Sequence, residues 1–131
     1  QVIITSTNAT RYLIEASQLD LEHPVHITAM GSDATGKNEL SPDLYARASR
    51  YACDLKSQSL HLGELRTVQA TGEEDFEKVE EIGEVCLHRK MRTENDKLTI
   101  CDLTGVGILD LSIAMYAKTL FTTECGLNGK N

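Results

Sequence analysis

His26-Ile27-Thr28-Ala29-Met30-Gly31-Ser32-Asp33-Ala34-Thr35-Gly36-Lys37-Asn38-Glu39-Leu40, followed at once by Ser41-Pro42-Asp43, changes character twice in a short span. It begins as an apolar, β-prone run through Gly31 and passes into small and polar residues. It ends on a helix start, in which Ser41 is the capping hydroxyl, Pro42 suits the first helical position and Asp43 is a first-turn acid, ahead of Leu44-Tyr45-Ala46-Arg47-Ala48. A strand that feeds a helix through a polar loop is half of a βαβ unit. Three other runs share the form of the first: Val2-Ile3-Ile4-Thr5-Ser6-Thr7, Tyr51-Ala52-Cys53-Asp54 and Leu98-Thr99-Ile100-Cys101-Asp102-Leu103. Between them, apolar residues recur at helical spacing over Gln58 to Gln69 and over Glu74 to His88. Strands alternating with helices predict an α/β fold with a mostly parallel sheet. Charge-rich His88 to Lys97 is the expected exposed loop.

The composition narrows the function. The chain has 131 residues, 40% hydrophobic and 25% charged, enough for one domain with a core of its own. Thirteen Lys and Arg against twenty Asp and Glu leave a net charge of −7, which argues against a nucleic-acid or anionic-membrane surface. No apolar run approaches the ~18 residues of a membrane span, and the N-terminus lacks a signal pattern. The acidity is concentrated between Gly72 and Glu84, where Lys78 is the one base among the acids. That segment reads either as a site for a cation or basic partner or as the solvated face of a helix started by Thr71-Gly72-Glu73-Glu74. Cys53, Cys86, Cys101 and Cys125 show neither zinc-ligand nor redox-pair spacing. No metal is expected, and free cysteines suggest a cytoplasmic setting.

Two features point beyond a self-sufficient domain. Gln1 leads directly into Val2-Ile3-Ile4, as if the chain started mid-fold. The last predicted helix, about Val106 to Phe121, is apolar around most of its circumference, whereas a surface helix carries one apolar stripe. Asp110 and Lys118 interrupt it, so a second domain or subunit is the expected cover rather than a membrane.

In open α/β sheets ligands bind beyond the carboxyl ends of strands. Three such ends are chemically rich here. Thr5-Ser6-Thr7 offers three hydroxyls, although a turn would use the same residues. In the second, Gly31 and Ser32 leave room for a ligand to approach, Asp33 could act as a general acid/base, and Lys37 is a flexible cation four residues on. A plain loop that leads into the following helix is equally compatible. In the third, Asp102-Leu103-Thr104-Gly105-Val106-Gly107, Thr104 lies near a helix N-terminus, and a simple strand-to-helix turn is again the alternative.

These motifs together, with Lys37-Asn38-Glu39, Leu62-Gly63-Glu64-Leu65, Ile82-Gly83-Glu84-Val85 and Asp102-Leu103-Thr104-Gly105 in that order, resemble the C-terminal part of the ornithine cyclodeaminase and mu-crystallin family over roughly Val2 to Leu120. Its ectoine-utilisation cyclodeaminase-like branch looks nearest. The resemblance implies an enzyme that depends on NAD or NADP, with a Rossmann-type domain joined to a dimerisation and substrate domain. Residues 1–105 would be the second half of the Rossmann-type domain, and 106–131 a helix and tail packing on the substrate domain. By resemblance Asp33 matches the catalytic acid/base. Thr7, Met30, Gly31, Ser32, Asp33, Lys37 and Thr104 match cofactor-contacting positions, and Gly105 a substrate-contacting one. The implied reaction is cyclodeamination of a small diamino acid, of ornithine or diaminobutyrate type, by a homodimer. The alternatives are a mu-crystallin-like NADPH and small-ligand-binding protein, an imine reductase, or a truncated interaction domain. Thr35 and Ser32 depart from the commoner family residues, and the chain contains no Gly-x-Gly-x-x-Gly turn to cradle a pyrophosphate. Alone, it is expected to be inactive.

Overall fold

A computed structural model describes residues 1–124; Cys125 and the rest of the 125–131 tail lie outside the described residues. In chain order the elements are β1 (Val2–Thr5), β2 (Thr10–Ile14), a 3-10 turn (Ala16–Gln18), β3 (Val25–Ala29), β4 (Asn38–Leu40) and α1 (Asp43–Arg47). They continue with β5 (Arg50–Cys53), α2 (Lys56–Ser59), α3 (Leu65–Ala70), β6 (Val79–Glu81), α4 (Ile82–Leu87), β7 (Leu98–Asp102) and α5 (Gly107–Glu124). Five strands form one sheet in the order β1-β3-β7-β5-β6, with every pair parallel, as the alternation of runs predicts. All four predicted strands are present.

The register decides where chemistry can happen. Thr5 pairs with Ala29, Ala29 with Asp102 and Asp102 with Cys53, so four strands end on one row. The segments that leave those four residues all emerge at a single carboxyl edge. On one face of the sheet, Val25, Ile27, Leu98, Ile100 and Tyr51 pack with Leu44, Tyr45, Leu65, Val68 and Phe76 in the core. Burial of each large side chain there stabilises the fold by roughly 1.5–3 kcal/mol. The alternate residues turn to the other face, where Val2 and Ile4 are 68% and 67% exposed. A groove of about 460 Å³ runs across that face past His26, Thr28, Arg50, Ala52 and Cys101.

Three elements differ from the sequence expectation. Strands β2 and β4 pair with each other in a small parallel sheet. Strand β2 is mostly exposed and is not among the predicted strands. The predicted helix over Gln58 to Gln69 is split into α2 and α3, because the chain passes so close to the end of β7 at Gly63 that a Cβ would sit 2.7 Å from Asp102 Oδ2 and 2.8 Å from Ser59 Oγ. The predicted helix over Glu74 to His88 is a loop, an edge strand and the short α4. There Val79 to Glu81 pair with β5, and Arg50 Nη2 donates to Glu80 Oε2 at 2.8 Å. Tertiary pairing overrides helical spacing in that segment. The acids between Gly72 and Glu84 therefore do not line a helix face.

Helix α5 forms where the sequence places it and extends to Glu124. Its large apolar residues are exposed on every side, including Ile108, Leu111, Ile113, Met115 and Phe121. No helix of the described residues is long and apolar enough to cross a membrane.

Candidate active site

Three buried carboxylates lie under the carboxyl edge, and each of Asp102 and Glu64 accepts the main-chain N–H of the residue that carries the next. Asp102, at the end of β7, accepts from Glu64 N at 3.0 Å, from Tyr51 OH at 3.2 Å and from Ser59 Oγ. Glu64 accepts from Glu39 N at 2.8 Å and Leu40 N at 3.0 Å, from Ser32 Oγ at 2.7 Å and from the Asn38 side-chain amide. Glu39 accepts from Thr7 N at 2.6 Å, Thr7 Oγ1 at 2.8 Å, Thr5 Oγ1 at 2.7 Å and Gly31 N at 2.9 Å. The end of β1, both ends of the 31–40 loop, the start of α3 and the end of β7 are thereby tied into one hydrogen-bonded unit.

The charge states of the three differ. Burial pushes the Glu39 carboxyl up, but the hydrogen bonds from Thr5, Thr7 and Gly31 outweigh it and hold the group below the ordinary carboxylate range. For Glu64 burial wins and its pKa is raised. Burial also pushes Asp102 up to about 7, and its Oδ1 has no hydrogen-bond partner among the described residues. Glu39 and Glu64 each accept four hydrogen bonds, so heavier desolvation, with repulsion from the neighbouring carboxylate, is what separates Glu64 and Asp102 from Glu39.

Above this layer the 31–40 loop carries its functional groups outward. Asp33 is exposed and accepts from Lys37 Nζ at 2.6 Å, and that hydrogen bond and charge hold its carboxyl below the ordinary range. Gly36 has φ +90°, the left-handed conformation that lets the loop turn back and bring Lys37 to Asp33. Met30 is half exposed at the end of β3. Gly31 has no space for a side chain, since a Cβ would run into the Glu39 carboxylate and the Thr7 carbonyl oxygen.

The end of β7 is arranged differently. Asp54, just after β5, accepts from Thr104 N at 2.9 Å, Thr104 Oγ1 at 2.9 Å and Gly105 N at 2.6 Å. Gln58 Nε2 donates to Thr104 Oγ1 at 2.9 Å and to Gly105 O at 2.7 Å. Both N–H groups, the Thr104 hydroxyl and the Gly105 carbonyl oxygen are therefore engaged within the protein, and Thr104 is buried.

The structure thus brings Thr7, Met30, Gly31, Ser32, Asp33 and Lys37 to adjoining strand ends, with Thr104 and Gly105 on the same edge. Ser32 is buried and its hydroxyl donates to Glu64, so it faces inward. Sequence reasoning gives no role to Glu39, Glu64, Asp102, Asp54 or Gln58. The available signal is acids flanked by apolar or glycine residues at strand and helix ends, as in Gly63-Glu64-Leu65 and Asn38-Glu39-Leu40. For a dinucleotide, the exposed Met30 thioether and Asp33 carboxylate and the half-buried Lys37 ammonium suit the nicotinamide and ribose end, whereas the Thr7 hydroxyl is engaged by Glu39 and Ala9 N. They form no phosphate cradle.

Relatives carry the same fold. An uncharacterised cyclodeaminase of Sinorhizobium fredii is 42% identical over 118 residues, covering 88% of this chain and 35% of the relative. The crystal structure of the iminosuccinate reductase of Paracoccus denitrificans in complex with NAD+ superposes with a TM-score of 0.83 at 34% identity, over 94% of this chain and 37% of that one. An archaeal alanine dehydrogenase dimer with bound NAD superposes with a TM-score of 0.81 at 29% identity, over 94% and 38% of the two chains. The chain spans about a third of the length of the curated relatives it matches. Since the family pattern runs across residues 1–121, the chain belongs to the ornithine cyclodeaminase/mu-crystallin family.

Proposed function

We propose that this chain supplies the nicotinamide-facing half of an NAD(P)-dependent enzyme that acts on a small amino or imino acid, with Asp33 as the group that moves protons. The observation that carries the reading is an exposed carboxylate, paired with Lys37, on a loop whose ends are tied down by buried carboxylates at the carboxyl edge of a parallel sheet. When bound, the nicotinamide supplies hydride acceptance and donation at the substrate α-carbon. Thr7, Met30 and Lys37 would hold and orient it from this side, while Gly31 and Ser32 shape the loop beneath. Asp33, an exposed carboxylate that Lys37 holds below the ordinary range, takes a proton from the substrate nitrogen or from an attacking water or amine, and returns it to a departing nitrogen. Thr104 and Gly105 would present a surface shaped by Asp54 rather than free donors.

The likeness to an iminosuccinate reductase and an alanine dehydrogenase favours imine and amino-acid redox chemistry, while the cyclodeaminase relative favours ammonia release from a diamino acid. Product analysis separates them, because a cyclodeaminase converts ornithine or diaminobutyrate with release of ammonia and no net change in NADH. Residues 106–131 would pack on a substrate and dimerisation domain, consistent with the exposed apolar circumference of α5. The free thiols of Cys53, Cys86 and Cys101 agree with a cytoplasmic setting.

The test is Asp33→Asn in the intact protein. Turnover should fall by roughly 10²–10⁴-fold, the usual weight of a general acid/base, while NAD still binds by fluorescence titration. Unchanged turnover would remove Asp33 from the chemistry.

A further inference from the structure

Resting on the assignment of Asp33 as the proton-moving group, we propose that Glu64 is a positioning residue for it, a single buried carboxylate that grips both ends of the 31–40 loop and so fixes where Asp33 stands. Oxygen Oε1 of Glu64 takes the Ser32 hydroxyl at 2.7 Å, one residue before Asp33, and Glu39 N at 2.8 Å on the far side of the loop. Oxygen Oε2 takes Leu40 N at 3.0 Å and the Asn38 amide. One rigid group therefore spans the loop's entry and its exit.

Glu39 secures the entry as well, by accepting from Gly31 N at 2.9 Å, and Arg66 Nη2 donates to Lys37 O at 3.1 Å, but only Glu64 takes the Ser32 hydroxyl next to Asp33. Asp33, Ala34, Thr35 and Gly36 are all exposed, and Lys37 is a long side chain reaching back from the same loop. Without its end constraints the loop could spread over many conformations. Glu64 itself cannot drift. It is 2% exposed, its N–H is held by Asp102, and Leu65 and Val68 of the helix it precedes are buried in the core. Being enclosed, it acts on the reaction through the loop and not by contact with substrate. Displacements of about 1 Å in a reacting group can cost on the order of 10²-fold in rate, so a grip of this kind carries kinetic weight.

Glu64→Gln tests the assignment. It keeps the size and one acceptor oxygen, but turns an NH₂ toward donors that the carboxylate now accepts. In the intact protein, turnover should fall by about ten- to a hundredfold, with the KM for NAD within about twofold of wild type. Combined with Asp33→Asn, the double variant should be no slower than Asp33→Asn alone, because the two changes act through one group. Wild-type turnover in Glu64→Gln, or losses that multiply in the double variant, would overturn the proposal.

If Asp33→Asn alone leaves turnover intact, the functional reading fails and the grip is judged by hydrogen exchange. The Glu39 and Leu40 amides of Glu64→Gln should then exchange at least about tenfold faster, with β3 and β7 unchanged. Unaltered exchange at those two amides would overturn the grip whatever the reaction is. Should Glu64→Gln lose protection in β3 and β7 as well, Asn38→Ala removes one donor and leaves the carboxylate in place. It should slow turnover several-fold with the same lack of additivity toward Asp33→Asn, and wild-type turnover would overturn the proposal.

Discussion

The 31–40 loop and the Thr104–Gly105 turn stand at the ends of neighbouring strands and both depend on carboxylates, yet the carboxylates occupy opposite positions. Glu39 and Glu64 lie beneath the first loop and grip its ends, which leaves Asp33 in solvent with the half-buried Lys37 beside it. Asp54 lies against the second and takes its donors directly, so that Thr104 and Gly105 keep no free N–H. An acid below a loop presents the tip to a ligand; an acid at the tip occupies it. The same residue type thus builds a reactive position in one place and a closed, shape-defining one a strand away.

The difference can be broken at its base, at its closed end and at its tip. The largest effect belongs to Gly31→Ala. A methyl group there must displace the Glu39 carboxylate or the Thr7 main chain, so thermal denaturation should report a loss of about 1–3 kcal/mol, with turnover of the intact protein falling too. An alanine variant as stable as wild type would mean that the first loop's base yields easily.

Asp54→Ala comes next. It leaves the Thr104 and Gly105 amides without their acceptor, which should cost about 1–2 kcal/mol and speed hydrogen exchange at those two positions while the Gly31 amide stays protected. Faster exchange at Gly31 as well would show the two loops to be one unit rather than two designs.

Lys37→Met has the smallest effect, a displacement along the pH axis. The Lys37 ammonium holds the Asp33 carboxyl low, so the fraction of Asp33 ionised falls off only in acid. Removing that cation lets the pKa rise toward its ordinary value, and the acid limb of kcat/KM should move to higher pH. A limb that stays in place would assign it to another group.

Four strands of the main sheet, β1, β3, β5 and β7, are legible in the sequence because each is a short apolar run ending in polar residues, a pattern that survives folding unchanged. Asp33 and Lys37 are legible for a related reason: they lie in one contiguous loop. Glu64 and Asp102 are not, since their weight comes from donors 24 to 51 positions away in sequence that only the fold assembles. Strand β2 escapes notice because its residues are largely exposed and its partner β4 defines it. The helical spacing over Glu74 to His88 misleads because Lys56 of α2 donates to Phe76 O and Lys78 donates to Tyr45 O of α1, which anchors the loop ahead of β6, and the edge of β5 then claims Val79 to Glu81. Conversely, the all-round apolarity of α5 is plain in the sequence, and its exposure here is its direct counterpart.

The Asp54 and Gln58 contacts have a mechanical consequence. Gly105, with φ +81°, is two residues from the start of α5, and that helix of 18 residues is an arm about 27 Å long. A change of about 10° in its direction at Gly105 sweeps the far end through about 5 Å. The bonds to Thr104 and Gly105 therefore stiffen the fulcrum of a lever. Small displacements at the strand ends are magnified at Phe121, and any load on the arm is returned to the turn beside the candidate active site.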